Sequence, residues 1–163
     1  MIFLGLIYYK LNIRTPSIIN HFEEETFRSN YQAFKNSIRY ANLIFQTKGN
    51  QDCEVDCWIK GNVGLDYGKS GYPISTQFTT KNFFLNPSGY KDDLNGKDCA
   101  KIWSFLMGPM HQTINTEEGS YQSNYDKVSS FCIYTDKKVA DFSILYDSKT
   151  GTIDLLEINQ TIQ

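Results

Sequence analysis

Histidine is scarce in this 163-residue chain, with 2 copies, and proline (4) and tryptophan (2) are little better represented. Two imidazoles offer few groups for proton transfer near neutral pH, so an enzymatic reading starts at a disadvantage. Glycine (11) and proline (4) are too few for a collagenous or low-complexity chain, and 40% apolar against 21% charged residues argues against disorder. No basic run occurs, and 16 Lys+Arg against 18 Asp+Glu gives a net charge of -2 and a pI near 5.7. Nucleic acid is therefore a poor partner. Aromatics are plentiful at 15%, carried by 11 Tyr and 11 Phe, a composition suited to strands and interaction surfaces. The length allows one domain of ordinary size.

The apolar opening, residues 2–9 (IFLGLIYY), is uncharged but too short to span a bilayer, which takes about 20 apolar residues. Lys10 interrupts it, and Leu11 and Ile13 extend it weakly. A cleavable signal would need a basic region ahead and small residues behind, and IRTPS (residues 13–17) offers no such site. The stretch reads as the back half of a membrane helix; the alternative is a first strand or buried helix of a soluble core. Pro16 follows, placed to kink a helix or begin a new one.

From Phe27 the apolar positions run Phe27, Tyr31, Phe34, Ile38, Ala41 and Phe45, at alternating spacings of about four and three residues. That is one face of a helix. Glu23, Glu24 and Glu25 would suit the positive end of its dipole if the helix starts near Ser17 or Asn20, and Gly49 after Lys48 is a candidate C-terminal cap. Residues 16–49 predict a rod on the order of 50 Å, lengthened to about 70 Å by the apolar head.

Past Asn50 the helical period vanishes, and recurrent Gly and Pro predict a loop-rich region over residues 50–127. Residues 58–63 (WIKGNV) and 75–80 (STQFTT) are possible short strands. Residues 99–107 (CAKIWSFLM) predict a helix capped by Asp98, with Ile102, Phe105 and Leu106 inward and Gly108 and Pro109 as its end. Residues 111–127 read as a polar surface loop. The clearest β signal lies in 131–134 (FCIY), 141–146 (DFSILY) and 152–158 (TIDLLEI), with 147–151 (DSKTG) as a hairpin turn. Phe142, Ile144 and Tyr146 alternate onto one face, as do Ile153 and Leu155, so the apolar face needs a cover. The helix stripe is the large candidate. The expected class is α+β: a long N-terminal spine helix on a C-terminal antiparallel sheet over 128–163, with residues 1–15 as a separate hydrophobic segment.

Cys53, Cys57, Cys99 and Cys132 permit three full disulfide pairings and also a four-thiolate zinc site. Zinc knuckles use paired C-x-x-C spacings, whereas the first pair here is C-x3-C and the other two stand far apart. Disulfides in an oxidising compartment fit better, with free buried thiols as the remaining option. Other chemistry reads weakly. Gly68-Lys69-Ser70 lacks the earlier glycine of a phosphate-binding loop, where Val63 stands. Cys99 with His111 lacks an orienting partner. Asp92, Asp93, Asn95 and Asp98 form a loop that could bind calcium weakly or be a simple turn, and their spacing is not that of an EF-hand. Tyr67, Tyr72, Tyr90, Tyr121 and Tyr125 could form a sticky surface or merely pack locally. Neither a cofactor nor a metal is expected.

Taken together, NSIRYANLIFQTKG (36–49), GLDYGKSGYPIS (64–75), CAKIWSFL (99–106), and CIY with FSILYDSKTGTIDL (132–155) resemble type IV pilins and the pseudopilins of type II secretion, most of all the mannose-sensitive haemagglutinin class. The resemblance implies a non-catalytic subunit of a pilus or pseudopilus filament serving adhesion, motility, DNA uptake or secretion. It implies residence in the inner membrane and periplasm before assembly and in an extracellular pilus or periplasmic pseudopilus afterwards. Ile2, Phe3, Leu4, Leu6 and Ile7 would pack against the spines of like or related pilin subunits, and a host or surface receptor is a possible partner. Family members commonly tie a C-terminal strand to an earlier segment by a disulfide, a layout that Cys99 with Cys132 matches; Cys53 with Cys57 would close a small second loop. The family's basic leader, N-methylated first residue and early Glu are not found ahead of Ile2; matching Pro16 to the family's kinking proline places them upstream. The contrasting expectation is a monomeric periplasmic or cell-surface binding domain, and a third is a small cysteine-dependent enzyme.

Overall fold

The computed structural model describes residues 2–48, 58–60, 63–76, 95–108, 114–117 and 119–157, with side chains from residue 21 onward. Helix α1 (Ile2–Thr47) is followed by β1 (Trp58–Lys60), β2 (Val63–Tyr67), β3 (Pro73–Ser75), helix α2 (Gly96–Met107) and four strands, β4 (Tyr121–Asp126), β5 (Phe131–Asp136), β6 (Phe142–Asp147) and β7 (Ile153–Glu157). The protein is α+β, with a three-stranded antiparallel sheet β1-β2-β3 and a four-stranded antiparallel meander β4-β5-β6-β7.

The stripe behaves as its spacing dictates. Phe27, Phe34, Ile38 and Ala41 are fully buried and Phe45 nearly so, with Tyr31 packed at the margin. Each large side chain removed from water contributes about 1.5–3 kcal/mol. Phe34 occupies the centre, its ring 5.0 Å from that of Trp103, 5.1 Å from Tyr134 and 5.9 Å from Tyr146. Lower down, Phe27 meets Tyr121 and Phe142; higher up, Phe45 stacks on Tyr67 of β2. One helix face therefore serves both sheets.

The cover over the meander is shared, which amends the expectation that α1 alone supplies it. Trp103 of α2 is fully buried between Phe34, Tyr121 and Tyr134, and Ile102, Phe105 and Leu106 face inward as their spacing predicts. Helix α2 starts earlier than expected. Asn95 is its N-cap, accepting from the backbone N–H groups of Lys97 and Asp98, while the Asp98 carboxylate accepts from the Asn95 N–H. Asp98 is thus the third residue of a capping box and not the cap. Helix α1 also begins well before Ser17 and passes through Pro16, so Glu23, Glu24 and Glu25 lie inside it and not at its positive end. Gly49 lies outside the described residues.

Three segments differ from expectation in the middle of the chain. Of residues 58–63, the first three are the whole of β1 and Val63 opens β2, paired Lys60 to Val63 across an antiparallel register; 61–62 lie outside the described residues. Strand β3 precedes the expected 75–80 segment, of which 77–80 lies outside the described residues. Residues 121–126, expected as loop, form edge strand β4, in register with β5 from Tyr121–Asp136 to Asp126–Phe131. The 147–151 turn is as expected: Gly151 has φ 70° and donates to the Asp147 carbonyl at 2.8 Å. A Cβ there would fall 2.1 Å from the Tyr72 ring, so glycine is required twice over.

Candidate functional site

The seat of α1 and the faces it leaves exposed hold the polar and aromatic groups that could engage a partner. Burial of aromatic residues fixes the seat, and their polar tips then bond across layers. The Tyr134 hydroxyl donates to the Cys99 carbonyl at 3.0 Å, and the Tyr146 hydroxyl to the Pro73 carbonyl at 2.8 Å. The Tyr121 hydroxyl accepts from Asn30 Nδ2 at 2.7 Å, and the Tyr31 hydroxyl donates to the Ile153 carbonyl of β7. Burial holds the phenols of Tyr67, Tyr121, Tyr134 and Tyr146 well above the ordinary tyrosine range, so all four stay neutral at physiological pH. Tyr67 and Tyr121 are consequently core residues and no part of a sticky surface.

Charged pairs rim the seat. Arg28 bonds Glu157 of β7 at 2.6 Å and Glu24 one turn earlier at 3.0 Å, and these carboxylates, Glu157 first, raise its pKa further. Lys138 lies 3.6 Å from Glu23. All are substantially solvated and worth about 0–1 kcal/mol each. They orient α1 on the sheet more than they stabilise it. Asn42 Nδ2 reaches the Gly71 carbonyl at 2.7 Å and fastens the upper end of α1 to the turn after β2.

Cys99 and Cys132 are joined, binding α2 to β5 with a Cα–Cα distance of 5.5 Å and a sequence separation of 33. No free cysteine occurs among the described residues, so Cys99 is not a thiolate nucleophile here. Cys53, Cys57, His111, Tyr90, Asp92 and Asp93 lie outside the described residues. Asn95 and Asp98 are spent on the capping box, and among the described residues no group of three or more His, Cys, Asp or Glu side chains could hold a metal. Gly68-Lys69-Ser70 is the turn between β2 and β3, where the Ser70 hydroxyl bonds the Ser148 carbonyl. Ile2, Phe3, Leu4, Leu6 and Ile7 occupy the first two turns of α1, and their side chains lie outside the described set. Among the described residues no helix is long and apolar enough to cross a membrane.

One feature escapes pattern reading. A groove of about 630 Å³ lies between β1, β2 and α2, lined by Lys60, Val63, Ala100, Lys101, Ser104 and Phe105 among others. Lys60 Nζ sits 4.6 Å from the Trp58 ring centroid and 4.8 Å from that of Phe105, and donates to the Phe105 carbonyl near the C-terminus of α2 at 2.9 Å. Both the ring faces and the helix end favour a cation. Partial burial lowers the Lys60 pKa. The available signal was strand alternation in Trp58-Ile59-Lys60, which puts Trp58 and Lys60 on one face, together with the four-residue step from Lys101 to Phe105 on α2.

No protein-family model, curated protein or solved structure matches the chain.

Proposed function

We propose that the chain is a non-catalytic structural subunit of a type IV pilus or pseudopilus filament. The observation that carries this reading is the length of α1. It is a continuous helix of 46 residues, on the order of 70 Å. Phe27, Phe34, Ile38, Ala41 and Phe45 seat the globular part along residues 27–45, a span much shorter than the rod. The first half, with Ile2, Phe3, Leu4, Leu6 and Ile7 in its opening turns, is suited to burial against the same segment of other subunits. Packing apolar helices together yields roughly 25 cal/mol per Å² removed from water, and a head-to-tail arrangement propagates as a fibre.

Further support comes from the helix-on-antiparallel-sheet layout and from the Cys99–Cys132 bridge that fastens the sheet to an earlier segment. The apolar run at residues 2–9 is where the subunit would meet the inner membrane before assembly. The experiment is detergent removal from the purified full chain, followed by electron microscopy. Filaments of uniform width are expected. A chain that stays monomeric at all concentrations contradicts the reading and favours a periplasmic or cell-surface binding domain.

A further inference from the structure

Lys60 and Lys101 line an apolar-floored groove, and among the described residues no carboxylate pairs with either. Lys60 spends one of its three ammonium hydrogens on the Phe105 carbonyl, leaving two for a partner. The groove thus asks for an occupant carrying a carboxylate beside an apolar side chain. The opposite pattern stands on the outward face of α1. Phe22 is 73% exposed, Glu25 is exposed one turn later, and Glu25 forms none of the ion pairs that engage Glu23 and Glu24. Residues three apart share a helix face, so Phe22 and Glu25 present a ring and a carboxylate together. Their direction is opposite to that of buried Phe27.

Resting on the subunit reading above, we infer that the groove between β1, β2 and α2 docks the Phe22–Glu25 face of α1 from a second copy of this chain. Phe22 enters beside Val63 and Phe105, and Glu25 meets Lys60 and Lys101. The two surfaces are different patches of one molecule. Trp58, whose ring lies 5.3 Å from that of Tyr40, fixes the groove at the level of Tyr40, about 27 Å along the helix from Phe22. A contact between unlike patches displaced along the axis does not close on itself and generates an open series of subunits. Each copy offers one groove and one helix face, so every interior copy is engaged twice.

A charge swap on the full chain tests this. Lys101→Glu and Glu25→Lys each change an exposed side chain and should leave far-UV circular dichroism unaltered. Each alone should weaken self-association by about tenfold or more, because like charges then face each other. An equimolar mixture of the two should associate as the wild type does, since each groove now matches the other variant's helix. Zero-length carbodiimide coupling of mixed isotopically labelled wild-type copies should also give Glu25–Lys60 or Glu25–Lys101 links between molecules. If single reversals leave association unchanged, or weaken it without restoration on mixing, the docking is overturned while the subunit reading stands. A wild type that does not self-associate removes both.

Discussion

Phe34 shows what a single side chain decides in this protein. Its ring is in contact with α2 through Trp103 and with β5 and β6 through Tyr134 and Tyr146, so its removal opens a cavity where three elements meet. Phe34→Ala should cost about 3–5 kcal/mol, read as a lowered urea midpoint at unchanged slope. A loss under about 1 kcal/mol would mean that α1 is not seated there. The buried phenols make a second prediction. Tyr67, Tyr121, Tyr134 and Tyr146 all have folded-state pKa values raised by burial above the ordinary value of about 10. Below that pH both states keep the proton, and these groups contribute no pH dependence. Above it the unfolded chain ionises first, so stability falls by up to about 1.4 kcal/mol per pH unit for each phenol. Lys60, with a lowered pKa, acts in the opposite sense below its unfolded value, but it is one group against four. Followed upward from about pH 9, the share of tyrosinate absorbance that these four phenols supply should appear in one steep, cooperative step together with the fall in urea midpoint. Ionisation of all 11 tyrosines without unfolding would contradict the burial.

At the scale of elements, legibility followed burial contrast. The stripe from Phe27 to Phe45 was readable because one face of the helix is buried and the other is not, and strands β5 to β7 because they are rich in β-branched and aromatic residues that the core demands. Strand β4 was not readable. Its sequence YQSNYD is polar at an edge, and its place comes from backbone pairing with β5 and from Tyr121 alone pointing deep into the core. The start of α2 was missed for a different reason: Asn95 and Asp98 carry a capping signal that looks like an acidic loop unless the three-residue spacing is weighed. The bridge between α2 and β5 gives this scale its test. Closing a loop of 33 residues' separation restricts the unfolded chain, and replacing both Cys99 and Cys132 by Ala should cost about 3–4 kcal/mol in the chain-entropy account. Equilibrium unfolding of that double variant checks it, and an unchanged midpoint would mean that the bridge restrains nothing that the core does not already hold.

For the molecule as a whole, the long helix, the second helix and strands β5 to β7 could be read in order, but the small sheet and the way the layers share one core could not. That sharing depends on Trp103 reaching Phe34 and on Phe45 leaving the meander to pack on Tyr67, contacts between segments with no common period. The groove was hidden likewise, because Lys60 and Lys101 come together only when β1 lies against α2. The resulting body is seated on the latter part of α1, and its groove and outward helix face are unlike surfaces on one rod. On the reading proposed above, function at this scale is assembly, with apolar helix burial at the opening turns supplying the energy and charge matching between the groove and the α1 face of a second copy setting the register.

The most direct measurement is backbone hydrogen exchange over residues 2–20, compared between detergent-held monomer and assembled filament by mass spectrometry. Sibling helices packed around this segment should slow its exchange strongly on assembly, while the amides of β5 and β6 stay equally protected in both states. Exchange over residues 2–20 that is as fast in the filament as in the monomer would mean that the first half of α1 does not hold the subunits together.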